Sequence, residues 1–185
     1  MMDISDRGRN TSVIFGDGAG AVVLKKNKGD SGIISTHLHC QGKYLKELWC
    51  EGPASRENPR LSMQMLNEGR HFPYMNGREV FKNAVRRFPE VIQEALDTNN
   101  LSINDVALVI PHQANARITS AVQRKLGIDK NKIFSNIHKY GNTTGASIPI
   151  AICDAYEQGK IKENEIIILA AFGAGFTWAS AAIRW

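Results

Sequence analysis

The clearest pattern in the chain is a helical repeat of apolar positions that begins at Gly77. Apolar residues recur at three- and four-residue spacing from there to Leu96, which predicts a long amphipathic helix with one face toward a core. Pro89 lies inside this repeat and predicts a kink or a division into two helices, because proline donates no backbone hydrogen bond.

Two shorter repeats predict two further helices. Residues 114–126 predict an amphipathic helix, and Gly127 suits its C-terminal cap. Residues 147–158 predict another helix, with Pro149 tolerated in its first turn and Gly159 at its end.

Short apolar runs before and between the helices have the length and composition of strands. Residues 41–76 show neither the helical nor the strand period of apolar positions and predict a long irregular segment. Such a segment is usually functional or covers another surface. The predicted strands are residues 32–40, 106–110, 132–137, 165–171 and 177–184, together with a strand–glycine turn–strand unit over residues 12–25.

Helices and strands therefore alternate through the second part of the chain. This alternation predicts an α/β layered domain with a largely parallel sheet, closed by an antiparallel hairpin of the last two strands. We interpret residues 1–45 instead as the closing strands of a preceding half of the fold. We therefore expect a boundary that separates residues 1–45 from residues 46–185.

Composition narrows the class of protein without naming a function. The chain has 185 residues, of which 43% are hydrophobic and 22% charged, as in ordinary globular domains. A formal net charge of +5 without a run of like charges does not indicate a nucleic-acid partner, although a basic face could attract an acidic protein. The polar start "MMDISDRGRN" has no apolar core of a secretory signal, so we expect a cytoplasmic protein, or a stromal one in a plastid.

Residues 166–183 are apolar and about long enough to cross a bilayer. Gly173 and Gly175 divide them into two halves of strand length, so we expect no membrane segment. The three cysteines form no CxxC pair and predict buried or inert thiols in a reducing compartment. The cysteines are Cys40, Cys50 and Cys153.

The glycine-rich run "GDGAG", residues 16–20, resembles a phosphate-binding loop only superficially. Such a loop opens a helix, whereas "AVVL" follows here and favours a strand. A tight turn is therefore the better interpretation.

Three loops are predicted to meet at one edge of the sheet. His112 follows a strand and precedes a helix, and Asn142 occupies the equivalent place in the next unit. The glycine-rich run "FGAGFTW", residues 172–178, offers exposed backbone amides beside them. Ligands bind at such strand ends in open α/β sheets.

Histidine and asparagine can both donate a hydrogen bond from a neutral state. Two such donors aimed at one carbonyl oxygen would stabilise an enolate, with the loop amides adding an oxyanion site. The decarboxylation of a β-keto acid or a malonyl thioester needs this kind of stabilisation.

Four motifs in order, "FGDGAGAVVL", "PHQAN", "GNTTGAS" and "FGAGFTW", resemble β-ketoacyl-acyl-carrier-protein synthase III. The resemblance extends over nearly the whole chain and implies the C-terminal half of a thiolase-like fold: a layered mixed sheet covered by helices. It implies an acyltransferase of fatty acid biosynthesis that condenses an acyl-CoA primer with a malonyl-carrier protein. It further implies a homodimer in the full-length family, an acyl carrier protein as partner, coenzyme A and carrier thioesters as substrates, and no separate cofactor or metal.

The resemblance also assigns roles to individual residues. His112 and Asn142 match the pair that stabilises the enolate, and Ala174 matches the middle residue of the oxyanion loop. Asn115, Gly77 and Phe81 match positions that line the coenzyme A and pantetheine tunnel. Arg117 matches a basic residue that docks the acidic carrier protein.

Departures from the family pattern leave alternatives open. The family's nucleophilic cysteine lies on a buried helix N-terminus in the first half, and Cys40, Cys50 and Cys153 match neither its place nor its context. Ala174 replaces a usual glycine, and Pro89 is unusual in its helix. We therefore expect either an enzyme fragment or split subunit, or a non-catalytic carrier-binding or dimerising remnant. A papain-like hydrolase that uses Cys50, His112 and Asn142 is a third, weaker hypothesis.

Overall fold

The apolar repeats and short apolar runs fold into alternating helices and strands over most of the chain. The computed structural model describes residues 2–6 and 8–185. The helices are α1 (Arg9–Ser12), α2 (Met63–Asn67), α3 (Gly77–Thr98), α4 (Ala116–Leu126), α5 (Ile137–Tyr140) and α6 (Ser147–Glu157). The strands are β1 (Gly32–Cys40), β2 (Leu48–Cys50), β3 (Pro73–Met75), β4 (Val106–Pro111), β5 (Ile166–Gly173) and β6 (Thr177–Arg184).

A mixed four-stranded sheet with the order β1–β6–β5–β4 forms the centre. β4 and β5 run parallel, as the intervening helices require, while β5 and β6 form the predicted antiparallel hairpin. β1 extends the sheet by pairing antiparallel with β6, from Gly32 opposite Arg184 to Cys40 opposite Thr177. The predicted boundary at residue 45 stays a prediction.

Helices cover both faces of this sheet. The alternation of side chains along β5 sends Ile168 and Phe172 to the face covered by α3 and α4, and Ile167 to the face covered by α6. Buried residues of α3 such as Phe88 and Ile92 form the larger core, and Ala151 of α6 lies in the smaller one. The predicted layered α/β architecture is confirmed.

The predicted strand–turn–strand unit over residues 12–25 is wrong. Phe15 makes a single parallel bridge to Asn142, and residues 16–28 form neither helix nor strand. Val22, Val23 and Leu24 are 60%, 90% and 75% exposed. An extended segment becomes a strand only where a neighbour accepts its backbone hydrogen bonds, and the two halves of this segment do not pair with each other.

Pro89 does not split the long helix. α3 continues through it for 22 residues, and Pro89 itself is buried. Burial of Phe88, Val91 and Ile92 against the sheet holds the turns on both sides of the missing hydrogen bond.

Two other element predictions need correction. The predicted strand over residues 132–137 is reduced to a bridge between Ile133 and Val109, because the chain turns away into α5 at Ile137. The segment 41–76, predicted to be irregular, contains the antiparallel pair β2–β3 as well as α2.

Helix ends follow their capping residues. α4 begins at Ala116, two residues later than predicted, because the Asn115 side chain accepts a hydrogen bond from the backbone N–H of Arg117. Gly127 caps its C-terminus with a left-handed φ of 64°, as predicted. Residues 166–183 form strands, and among the helices of the described residues none is long and apolar enough to cross a bilayer.

Candidate active site

A cavity of about 1410 Å³ opens where β4 and β5 end and β6 begins. The loops after β4, before α6 and between β5 and β6 all reach it, so the structure brings the three predicted loops together. Every residue singled out from the sequence for a site role lies in its wall: His112, Asn142, Ala174, Gly77, Phe81, Asn115 and Arg117.

His112 is the first residue after β4, and its backbone and side chain are both held. Its N–H donates to the carbonyl of Ala170 at 2.7 Å, which continues the pairing with β5. Its ring Nδ1 lies 2.5 Å from Oγ of Ser147, the first residue of α6. Burial lowers the pKa of His112 from 6.5 to about 4, so the ring is neutral at pH 7.

Asn142 is fixed by a backbone exchange with the N-terminal segment. Its N–H donates to the carbonyl of Ile14 at 2.9 Å, and its carbonyl accepts from Gly16 at 3.0 Å. Its side-chain Oδ1 accepts from the backbone N–H of Thr144 at 2.9 Å. This bond sets the orientation of the amide, and no described residue makes a hydrogen bond to its NH₂ group, so Asn142 offers the cavity a donor.

A buried amide connects the loops that carry His112 and Asn142. Gln113 donates to the carbonyl of Pro111 at 2.7 Å and accepts from the backbone N–H of Asn136 at 3.1 Å. Asn136 in turn donates to a carboxylate oxygen of Asp154 in α6 at 3.1 Å. Neither Gln113 nor Ser147 could be identified from the sequence, since nothing in their local pattern distinguishes a buried hydrogen-bonded residue from a loop residue.

The turn between β5 and β6 supplies the third wall. The hydroxyl of Thr177 donates to the carbonyl of Ala174 at 3.0 Å. Phe176 packs against Phe172 and Tyr44, with both ring centroids 4.9 Å away. These contacts anchor the turn, so that its backbone keeps a defined position beside the other two loops.

The starts of two helices frame the mouth of the cavity. Gly77 is the first residue of α3, and a Cβ built there would meet nothing within 4 Å. Phe81, one turn further on, is 39% exposed. Arg117, in the first turn of α4, is exposed beside Asn115. The mouth therefore combines an aromatic ring, an amide and a cation.

All three cysteines are exposed, so the buried alternative of the expectation is wrong, while their inertness stays a prediction. Cys40 and Cys50 line the cavity, whereas Cys153 lies on α6 outside it. The thiol of Cys50 donates to the carbonyl of Gly52 at 3.0 Å, while Nδ1 of His112 is bound to serine. This geometry gives no support to a papain-like cysteine–histidine pair.

The fold and the site together define the class of protein: an α/β, thiolase-like protein with a cavity at the strand ends. Two models of one family match the chain. "3-Oxoacyl-[acyl-carrier-protein (ACP)] synthase III" matches residues 1–42, and its "C terminal" model matches residues 96–185. The chain belongs to the β-ketoacyl-[acyl-carrier-protein] synthase III family.

Relatives agree with this assignment. The chain is 45% identical to the synthase III of Roseiflexus sp. (strain RS-1), in an alignment covering 96% of this chain and 53% of that protein. It is 42% identical to the synthase III of Rhodospirillum centenum, covering 100% and 55%. The crystal structure of the Thermus thermophilus synthase III superposes with a TM-score of 0.88 at 40% identity, covering 100% and 55%. The chain thus spans about half the length of the relatives it matches.

Proposed function

We propose that this chain carries the decarboxylating half of a β-ketoacyl-acyl-carrier-protein synthase III site. The full reaction is an acyl transfer of fatty acid biosynthesis that condenses an acyl-CoA primer with a malonyl-carrier protein. The observation that supports this most directly is the pair of neutral donors in one cavity wall. His112 is uncharged at pH 7, and Asn142 presents its NH₂ group because Oδ1 is already bonded.

The proposed step breaks the bond between the malonyl carboxylate and the neighbouring carbon. Carbon dioxide leaves, and the electron pair of that bond moves into the enolate of the remaining thioester. His112 and Asn142 donate to the oxygen on which the charge develops, which lowers the barrier of the step. The enolate carbon then attacks the primer acyl group, which the family's cysteine holds as a thioester. The new carbon–carbon bond forms as the carbon–sulfur bond breaks, and the cysteine leaves as a thiolate. We assign that nucleophile to none of Cys40, Cys50 and Cys153.

The same proposal gives the other cavity residues their roles. The backbone N–H of Ala174 is the oxyanion donor for the carbonyl under attack. Gly77, Phe81 and Asn115 contact the pantetheine arm at the cavity mouth. Arg117, exposed at the start of α4, faces the acidic surface of the carrier protein.

Release of carbon dioxide from a malonyl-carrier protein tests the proposal. The purified chain is compared with His112→Ala and with Asn142→Asp, which keeps the shape of the side chain but replaces the donor by an acceptor. Removing one such donor costs on the order of a hundredfold in rate. Asn131→Asp makes the same exchange at an exposed position and is expected to retain the wild-type rate.

Equal release by the wild type and His112→Ala, or no release by either, contradicts a decarboxylating role for this chain. We also expect no transfer of acetyl from acetyl-CoA to the isolated chain. An acyl-enzyme on Cys40, Cys50 or Cys153, detected by mass spectrometry, would show that the nucleophile assignment is wrong.

A specific observation also supports a second candidate, a dimerising or carrier-binding domain without acyltransferase activity. Val22, Val23 and Leu24 form a run of exposed apolar side chains, and Leu38 on the edge strand β1 is 77% exposed. Such a surface favours association. Light scattering should then show self-association that Val23→Lys weakens, with no release of carbon dioxide by either protein.

A further inference from the structure

The hydroxyl of Ser147 connects α6 to the residues after β4. Within the described residues, both hydrogen-bond contacts of this hydroxyl are with those residues rather than with the amides of its own helix. Its Oγ lies 2.5 Å from Nδ1 of His112 and accepts from the backbone N–H of Gln113 at 3.3 Å. Ser147 is 3% exposed, so little of this hydroxyl is open to water.

We propose that Ser147 is a positioning residue that donates to Nδ1 of His112 and thereby keeps the ring proton on Nε2. The inference rests on the proposed function for its chemical meaning, because an Nε2–H is the donor that the enolate needs. The tautomer itself can be measured without that function.

This inference rests on the hydrogen-bonding capacity of the Ser147 hydroxyl. A serine hydroxyl has one hydrogen to donate and two lone pairs to accept with. One lone pair of Ser147 receives the N–H of Gln113, and within the described residues the acceptor in contact with its hydrogen is Nδ1 of His112. If Nδ1 carried the proton instead, the buried hydroxyl hydrogen would lack an acceptor, which is unfavourable.

The other ring nitrogen is then free for the cavity. No described residue makes a hydrogen bond to Nε2 of His112, although the ring lines the cavity wall. A neutral imidazole protonated at Nε2 therefore presents a donor there, whereas the opposite tautomer would present an acceptor. An acceptor would repel the developing negative charge on an enolate oxygen.

Long-range proton–nitrogen NMR correlation of the ¹⁵N-labelled full chain at pH 7.5 tests the tautomer directly. We expect the His112 ring, assigned with His112→Gln, to be protonated at Nε2 and unprotonated at Nδ1. Ser147→Ala should shift both nitrogens toward the averaged values of a tautomer mixture. Ser180→Ala removes another buried serine hydroxyl, which donates to the carbonyl of Val91 at 2.8 Å, and should leave the His112 signals unchanged.

The result that overturns the proposal is a wild-type ring protonated at Nδ1, or a Ser147→Ala ring that stays purely Nε2-protonated. The wild-type spectrum alone can overturn the proposal, even if Ser147→Ala fails to fold. Ser147→Thr restores a hydroxyl and should restore the Nε2–H tautomer.

Decarboxylation separates this inference from the proposed function. We expect Ser147→Ala to lose about fivefold in rate, the factor that corresponds to one net hydrogen bond, and Ser147→Thr to recover it. A wild-type chain with the Nε2–H tautomer that Ser147→Ala disturbs, but with no decarboxylation, would contradict the proposed function and leave the role of Ser147 supported. Decarboxylation that depends on His112 but proceeds with an Nδ1–H ring would contradict the role of Ser147 alone.

Discussion

Lowering the pH from 7.5 to 5 is expected to weaken the fold through one side chain, His112. Burial lowers its pKa in the folded chain to about 4, against 6.5 for an ordinary histidine. Below pH 6.5 the His112 ring is therefore protonated in the unfolded chain but stays unprotonated in the folded chain. The contribution of neutral His112 to the free energy of unfolding is fully present above pH 6.5 and is lost as the pH falls toward 4.

The two pKa values give the size of the effect. Their difference of about 2.5 units corresponds to about 3 kcal/mol when the pH is well below 4. By pH 5 the expected loss is up to about 2 kcal/mol, before most carboxylates titrate. That is a large part of the roughly 5–15 kcal/mol that stabilises a typical domain.

Urea unfolding followed by tryptophan fluorescence at pH 7.5 and pH 5 measures this loss. In His112→Gln the amide replaces the titrating ring, so the difference between the two pH values should shrink by up to about 2 kcal/mol. His138→Gln makes the same exchange at an exposed position and should keep the wild-type pH dependence. If His112→Gln lost as much stability on acidification as the wild type, the buried neutral state of His112 would be refuted.

Two pairs of exchanges test the geometry of the loops by urea unfolding. Gly141→Ala should cost about 1–3 kcal/mol, because φ is +69° and ψ is −161° there and a Cβ would lie 3.2 Å from the carbonyl of Ile14. Gly145→Ala, where a Cβ meets nothing within 4 Å, should cost much less, and equal losses would contradict the argument. Gln113→Leu should cost about 1–3 kcal/mol by leaving buried backbone groups unpaired. Gln93→Leu on the surface should cost little, and a neutral Gln113→Leu would show that this link is dispensable.

The sequence predicted the parts of the fold that depend on local pattern. The repeats in α3 and α4 and the apolar runs of β4, β5 and β6 are dictated by what each element buries. The strands expected over residues 12–25 and 132–137 failed for a different reason. A strand needs a neighbour over several residues, and these segments have one bridge each, at Phe15 and Ile133.

The candidate site divides in the same way between local pattern and tertiary contact. His112 and Asn142 could be identified because each was predicted to lie between a strand and a helix, where loops of an α/β sheet converge. The structure keeps that place for His112, whereas Asn142 lies between α5 and α6. Ser147 and Gln113 could not be identified, because their importance arises from contacts across about 35 and 23 residues of sequence, to His112 and Asn136 respectively. A residue's place in a motif therefore led to the candidate site, while the contacts that orient its side chains needed coordinates.

The neutrality of His112 and Asn142 has a chemical reason in the proposed reaction. A malonyl thioester enters with a carboxylate, and a charged imidazolium would bind that carboxylate and stabilise the ground state. Neutral donors on His112 and Asn142 bind it less and gain most when charge develops on the thioester oxygen. The burial that keeps His112 neutral also makes the fold sensitive to acid, so the same desolvation that serves the proposed chemistry limits stability below pH 6.5.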